Sequence, residues 1–218
     1  MPESKRPLSS RERIIEEAEH LIHLCGYHCT SLEDIAARCR MTKANLLHHF
    51  RSKEDLGLAV LDHKIEAYRR GMLVPILAEG SDPVRAVLGL FASAEAFYRG
   101  NGCRAGCFIA NIALEMSDYS PRFREKASSF FAEWTSKLEE MLTRGDCAGS
   151  PARRRALAEA ILSLYEGAVL LARARRDPEV FGRIGSVAAE LARPISYKTA
   201  TRRKSHGTQT QGRLRLLT

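Results

Sequence analysis

The residues best placed to do chemistry lie between Ile35 and Lys53. That stretch carries Arg38, Arg40, Lys43, Arg51 and Lys53 and no carboxylate. Clustered cations of this kind suit phosphate oxygens, and Thr42 beside a helix N-terminus suits them too. Asn45 adds an amide that can pair with adenine, and Ala44 a methyl that can meet a thymine methyl. Two further groups of residues invite chemistry. Cys103 and Cys107 have the spacing of two thiols on one helix face. Arg104 and a nearby helix N-terminus would lower the Cys107 pKa and make it a sensor of electrophiles or oxidants. His20, His23, Cys25, His28 and Cys29 crowd the end of the first predicted helix. They diverge around it without the spacing of a closed zinc set, so no metal is expected. The chain has no Gly-rich phosphate loop, nucleophile elbow or paired-His metal helix. No catalytic residue and no cofactor is expected, and the chain reads as something other than an enzyme.

The elements that position these residues are helices. In four places a short polar residue precedes proline: Asp82-Pro83, Ser120-Pro121, Ser150-Pro151 and Asp177-Pro178. The first residue can cap free amides, and proline at the first helical position loses no hydrogen bond. Each pair opens a run of helical period. The rows are Phe123, Ala127, Phe130, Trp134, Leu138 and Met141; Leu157, Ile161, Leu164, Ala168 and Leu171; and Val180, Ile184, Val187 and Leu191. The N-terminal part is built from shorter pieces. Ser9 to Glu12 has capping-box spacing and opens a helix that stops at Gly26. Thr30 to Glu33 repeats the box, Thr42 caps a third helix, and Ser52 opens a long fourth one running toward Pro75. The fold class is therefore all-α, with about nine helices.

Two of these helices, Ser31 to Cys39 and Lys43 to His49, are too short to stand alone in water. Joined by Arg40-Met41-Thr42 and packed on the first helix, they make a helix-turn-helix layout, whose second helix enters the major groove. By angle, Leu46, His49 and Phe50 face the domain core. Ala44, Asn45 and His48 point away, with Lys43 and Leu47 on the flanks. Lys43, Ala44, Asn45 and His48 are the expected base-facing residues, and Thr42 and Lys53 the expected phosphate contacts. The acids of this domain, Glu16, Glu17 and Glu19, sit on the first helix, away from the basic stretch.

From Arg13 to Asp62 the chain resembles the DNA-binding domain of the TetR family. The residues that carry the resemblance are Ile14-Ile15, Gly26-Tyr27, Thr30 through Ala36, Thr42-Lys43, Leu46, His48-His49-Phe50, Ser52-Lys53-Glu54 and Leu58. The resemblance implies a homodimer on a palindromic double-stranded DNA operator, with a C-terminal domain that lets go of DNA when a small-molecule effector binds. Two positions depart from the family pattern. Arg40 stands where the turn usually has glycine, and Leu47 stands where an aromatic residue usually touches phosphate. Leu47 could instead read a methyl group or pack.

Three units are expected: a helix-turn-helix domain over residues 1–65, a helical ligand-binding and dimerisation domain over 66–195, and a basic, disordered tail over 196–218. Gly102 to Asn111 with Glu115, and Tyr165 to Ala168 with Leu171-Ala172-Arg173, resemble segments of one subgroup of these regulators. They imply a pocket among the central helices and a dimer face on the last two. Leu162, Val169 and Leu170 lie off the inner row of their helix, so that helix must be covered on a second side, which also points to a homodimer. Phe91, Phe97, Tyr98, Phe108, Asn111, Trp134 and Tyr165 are expected on inward faces. Asn111, Trp134, Tyr165, Phe108 and Cys107 are the candidate ligand contacts.

The formal charge of +8 needs care. Lys198, Arg202, Arg203, Lys204, Arg213 and Arg215 lie in the tail with no acid among them, so the body is near neutral. Charge placement is the better evidence for nucleic acid. No apolar run approaches the ~18 residues of a membrane span, and the N-terminus lacks a secretory pattern, so a cytoplasmic protein is expected. A helical protein-binding adaptor is the competing class. It shares the apolar C-terminal faces but leaves the acid-free basic stretch unexplained.

Overall fold

The computed structural model describes residues 8–73, 82–145, 147 and 149–193. The expected basic tail lies outside them. Among the described residues every regular element is helical. They are α1 (Ser10–Cys25), α2 (Leu32–Arg38), α3 (Lys43–His49), α4 (Lys53–Tyr68), a π-helical turn (Arg69–Leu73), α5 (Pro83–Gly100), α6 (Phe108–Met116), α7 (Pro121–Arg144), α8 (Pro151–Arg175) and α9 (Val180–Leu191).

Capping chemistry sets most starts. Ser9 and Glu12 form the expected box at α1. At α2 the box sits one residue later than expected: Ser31 and Asp34 form it, while Thr30 donates to the Gly26 carbonyl at 2.8 Å. Thr42, Ser52, Asp82 and Ser150 each accept from an amide of the helix they open. Two expected caps are used otherwise. Ser120 Oγ donates to Glu54 Oε1 at 2.7 Å, linking α7 to α4. Asp177 accepts from the Glu179 amide, and α9 starts only at Val180. The α-helical part of α4 ends at Tyr68, short of Pro75, and passes into the π turn.

α1, α2 and α3 pack with α4 around Ile14, Ala18, Ile35, Leu46, Leu56 and Leu61, all almost fully buried. α5, α7, α8 and α9 pack side by side, with Phe91, Phe130, Trp134 and Phe181 at the centre. α6 lies against α4 and α7 and touches both groups. The expected boundary at residue 65 falls inside α4, so one continuous helix serves both halves. Gly57 on α4 lies where the two halves meet, against Tyr27 and Phe123. A Cβ there would lie 2.6 Å from the Tyr27 ring and 2.8 Å from Phe123. Those two rings meet edge to face at 5.2 Å because that space is empty.

The inner row of α7 is as expected, from Phe123 to Met141. The rows of α8 and α9 are rotated. Ala158, Ile161, Tyr165, Ala168, Val169 and Ala172 face in on α8, and Val180, Phe181, Gly185, Ala188 and Ala189 on α9. The larger aliphatics lie outward of these small residues: Leu157, Leu164, Leu171 and Ile184 are half-buried, and Leu170 and Val187 are 67% and 56% exposed. Small residues let α5, α8 and α9 approach closely, and the apolar surplus ends up outside.

Candidate nucleic-acid interface and effector cavity

α3 presents one face to the core and the other to solvent. Leu46 is fully buried and Phe50 nearly so. Thr42, Lys43, Ala44, Asn45, Leu47 and His48 are all exposed, Leu47 at 37%. Thr42 Oγ1 accepts from the Asn45 amide at 3.2 Å, which fixes the first turn. His49, expected in the core, is exposed as well. α3 is so short that Leu46 and Phe50, anchored against α1 and α2, set its rotation alone. Arg40 takes a left-handed φ of 54°, the conformation for which the turn usually uses glycine.

The basic stretch is not acid-free in space. Lys43 Nζ donates to Glu33 Oε1 at 2.6 Å, a contact from α3 back to α2. Arg38 pairs with Glu17 of α1 at 2.8 Å, so the α1 acids do reach the patch. Lys53 Nζ donates to the His28 carbonyl at 3.3 Å and lies 4.5 Å from the centre of the Tyr27 ring. Partial burial lowers its pKa. Lys43 and Lys53 are therefore already partnered within the chain, whereas the Asn45 and His48 side chains face solvent.

The second feature is a cavity of about 220 Å³ between α4, the π turn, α5, α7 and α8. Tyr68, Leu90, Tyr98, Cys107, Trp134 and Tyr165 line its depth, and Ser93 and Phe97, the latter 61% exposed, its rim. Three of the five candidate ligand contacts meet there: Cys107, Trp134 and Tyr165. Two do not. Asn111 sits under Gly106, its Oδ1 3.2 Å from where a Cβ on that glycine would stand. Phe108 is buried edge to face on His23 at 5.3 Å. α6 is rotated so that Phe108 points toward the N-terminal half and Asn111 toward the Gly106 turn. The sequence reading missed Tyr68, although it follows Leu61 and Ile65 on the same face of α4.

Cys107 is the N-cap of α6, but Cys103 lies in a turn at φ 53°, so the two thiols share no helix face. The expected low thiol pKa is reversed. Full burial pushes the Cys107 thiol up strongly, and the adjacent Glu166 carboxylate adds to this, outweighing the Ala110 and Ile109 amides. Glu166, itself buried, is pushed up to about 7.

α6 also ties the cavity to the N-terminal half. The Glu115 carboxylate accepts from the Tyr27 and His28 amides at 2.8 and 2.6 Å, just past the end of α1. His23 Nε2 contacts the Gly106 carbonyl at 2.7 Å.

Residues 14–60 match the family model for bacterial regulatory proteins of the tetR family. Residues 83–187 match the model for the C-terminal domain of LmrA/YxaF-like transcriptional regulators. The chain belongs to the TetR family of transcriptional regulators. It is 26% identical over 187 residues to the transcriptional repressor DhaR of Mycobacterium sp. (strain GP1), covering 84% of this chain and 92% of that one. It is 29% identical over 165 residues to the transcriptional regulator AcuR of Cereibacter sphaeroides, covering 74% of each. A TetR transcriptional regulator from Legionella pneumophila superposes with a TM-score of 0.74 at 26% identity, covering 85% of this chain and 98% of that one. Members of this family are DNA-binding transcription regulators and not enzymes, which decides against the adaptor reading. No helix among the described residues is long and apolar enough to cross a membrane.

Proposed function

We propose that this TetR-family regulator is a cytoplasmic repressor that grips a palindromic operator as a homodimer and is released by a small-molecule effector. Residues up to about 65 serve DNA, and those from about 66 to 195 serve the effector and the partner subunit. The observation that carries the reading is the single helix α4. Its first turn follows α3 directly, and Ala67 and Tyr68 at its far end line the cavity. A molecule that displaces Tyr68 acts on the same rigid element that sets the angle of α3. The effector shifts the equilibrium only by its differential affinity for the two angles.

In this reading Lys43, Ala44, Asn45 and His48 meet base edges, with Leu47 beside them, and Thr42 and Lys53 meet phosphate. The dimer forms through the outward aliphatics of α8 and α9, including Leu170 and Val187, in a four-helix interface. A thiol trigger at Cys107 is the weaker alternative, because burial and Glu166 disfavour the reactive thiolate. Selection on random duplex DNA, followed by sedimentation of the complex, tests the proposal. A selected palindrome bound by two chains is expected. No sequence preference, or a monomer on DNA, overturns it.

A further inference from the structure

Trp134 contributes its ring to the cavity, and its indole N–H is a buried donor without a hydrogen-bond partner among the described residues. A buried donor left unsatisfied is costly, and the usual remedy is a partner that arrives from outside. The rest of the lining is apolar or phenolic except for the Cys107 thiol and the Ser93 hydroxyl at the rim. Tyr68, Tyr98 and Tyr165 surround Trp134, and burial raises all three phenol pKa values, so each stays a neutral O–H. Among the described residues no lysine, arginine, histidine, aspartate or glutamate lines the space. Glu166 lies behind the lining, where it bonds the Cys107 thiol and keeps its Oε1 buried without a partner. An ion entering this cavity would lose its hydration and meet no countercharge in direct contact among the lining residues. A cavity of about 220 Å³ exceeds the roughly 150 Å³ apolar cavity that takes benzene, so it has room for one small ring compound.

From this we infer that the effector is a small, uncharged, ring-containing molecule bearing a carbonyl or ether oxygen, and that this oxygen accepts the Trp134 Nε1 hydrogen. The inference rests on the cavity being the effector site. Aromatic walls favour a flat ring over a branched chain, since edge-to-face contacts with Tyr165 and Trp134 are already the local packing mode, at 5.0 Å between those rings.

Isothermal calorimetry on the full chain with three probes of matched shape separates the two levels. Acetophenone offers an uncharged acceptor, ethylbenzene no acceptor, and benzoate a charged one. Acetophenone should bind about ten-fold tighter than ethylbenzene, and benzoate should not bind measurably. In Trp134→Phe the two neutral probes should bind equally, because the donor is gone while the ring remains. Unfolding of that variant by urea confirms that it folds. If ethylbenzene matches acetophenone in the native chain, or benzoate binds best, the assigned chemistry is wrong while the cavity remains a ligand site. If none of the three binds, the cavity is not the site, and the effector reading falls with it.

Discussion

Glu115→Gln tests whether α6 holds the DNA-binding half in place. In the native chain each carboxylate oxygen takes one backbone amide, Oε2 from Tyr27 at 2.8 Å and Oε1 from His28 at 2.6 Å. Glutamine keeps one acceptor and turns an NH2 group toward the other amide, so one bond is lost outright and the survivor loses its charge assistance. A hydrogen bond to a charged group contributes about 1.5–3 kcal/mol. The Tyr27 bond is partly buried and the His28 bond exposed, which discounts the second, and the net loss should be about 2 kcal/mol. For a domain of this size that lowers the melting temperature by about 4–8 °C. The same contact aligns the segment leading into α2, so operator affinity at a temperature well below the transition should fall several-fold. Calorimetric melting and fluorescence anisotropy on the selected operator read the two effects. A melting temperature within about 1 °C of the native chain, with unchanged DNA affinity, would refute the clamp.

Three further outcomes are expected. Asn45→Ala should cost about 1–3 kcal/mol of binding to the selected operator and relax the preference at one base pair, with no change in melting, because the side chain is exposed. Equal weakening on every sequence in a competition assay would place Asn45 on the backbone instead. Lys43→Gln should cost about 1–3 kcal/mol of binding to the selected operator and relax the preference at one base pair, while Glu33→Gln tightens binding by freeing the Lys43 ammonium from its 2.6 Å partner. The double variant should then behave as Lys43→Gln alone, and persistence of the tightening would show that Glu33 repels DNA directly. Finally, burial raises the Glu166 carboxyl from 4.5 to about 7. Between those values the folded chain binds more protons than the unfolded one, so this group subtracts stability as pH rises through that window and subtracts it in full above. Glu166→Gln should therefore stabilise the chain at about pH 8 by up to about 3 kcal/mol and hardly at all near pH 4.5. A urea-unfolding difference independent of pH would count against the buried carboxyl.

The N-terminal half was legible because its signals are local. Ser9, Thr42 and Ser52 announce their helices within four residues, and Leu46 and Phe50 fix the rotation of α3 through their spacing alone. Two local readings failed there, the α2 box that sits a residue later and His49 that faces solvent, and the other failures were non-local. The Lys43–Glu33 pair joins residues on two helices, and the Arg38–Glu17 pair spans more of the chain, so neither leaves a trace in sequence spacing. Cys107 failed for a related reason. The helix was expected to carry both Cys103 and Cys107 but starts only after Cys107, and whether a thiol at its N-terminus is acidified depends on burial, which the local sequence does not state.

The rotated rows of α8 and α9 carry a different lesson. Helical period identifies an apolar face but not what covers it. Leu157, Leu164 and Leu171 looked like core because they are large and regularly spaced, yet Ala158, Ala168 and Ala172 took the interior, where close helix approach needs small side chains. A helix that spends alanines on its own core and turns leucines outward is spaced for two neighbours. If Leu170→Lys and Val187→Lys together leave sedimentation and melting unchanged, the outward row has no partner. The two operator half-sites would then need some other coupling between chains, because one α3 reaches only one half-site.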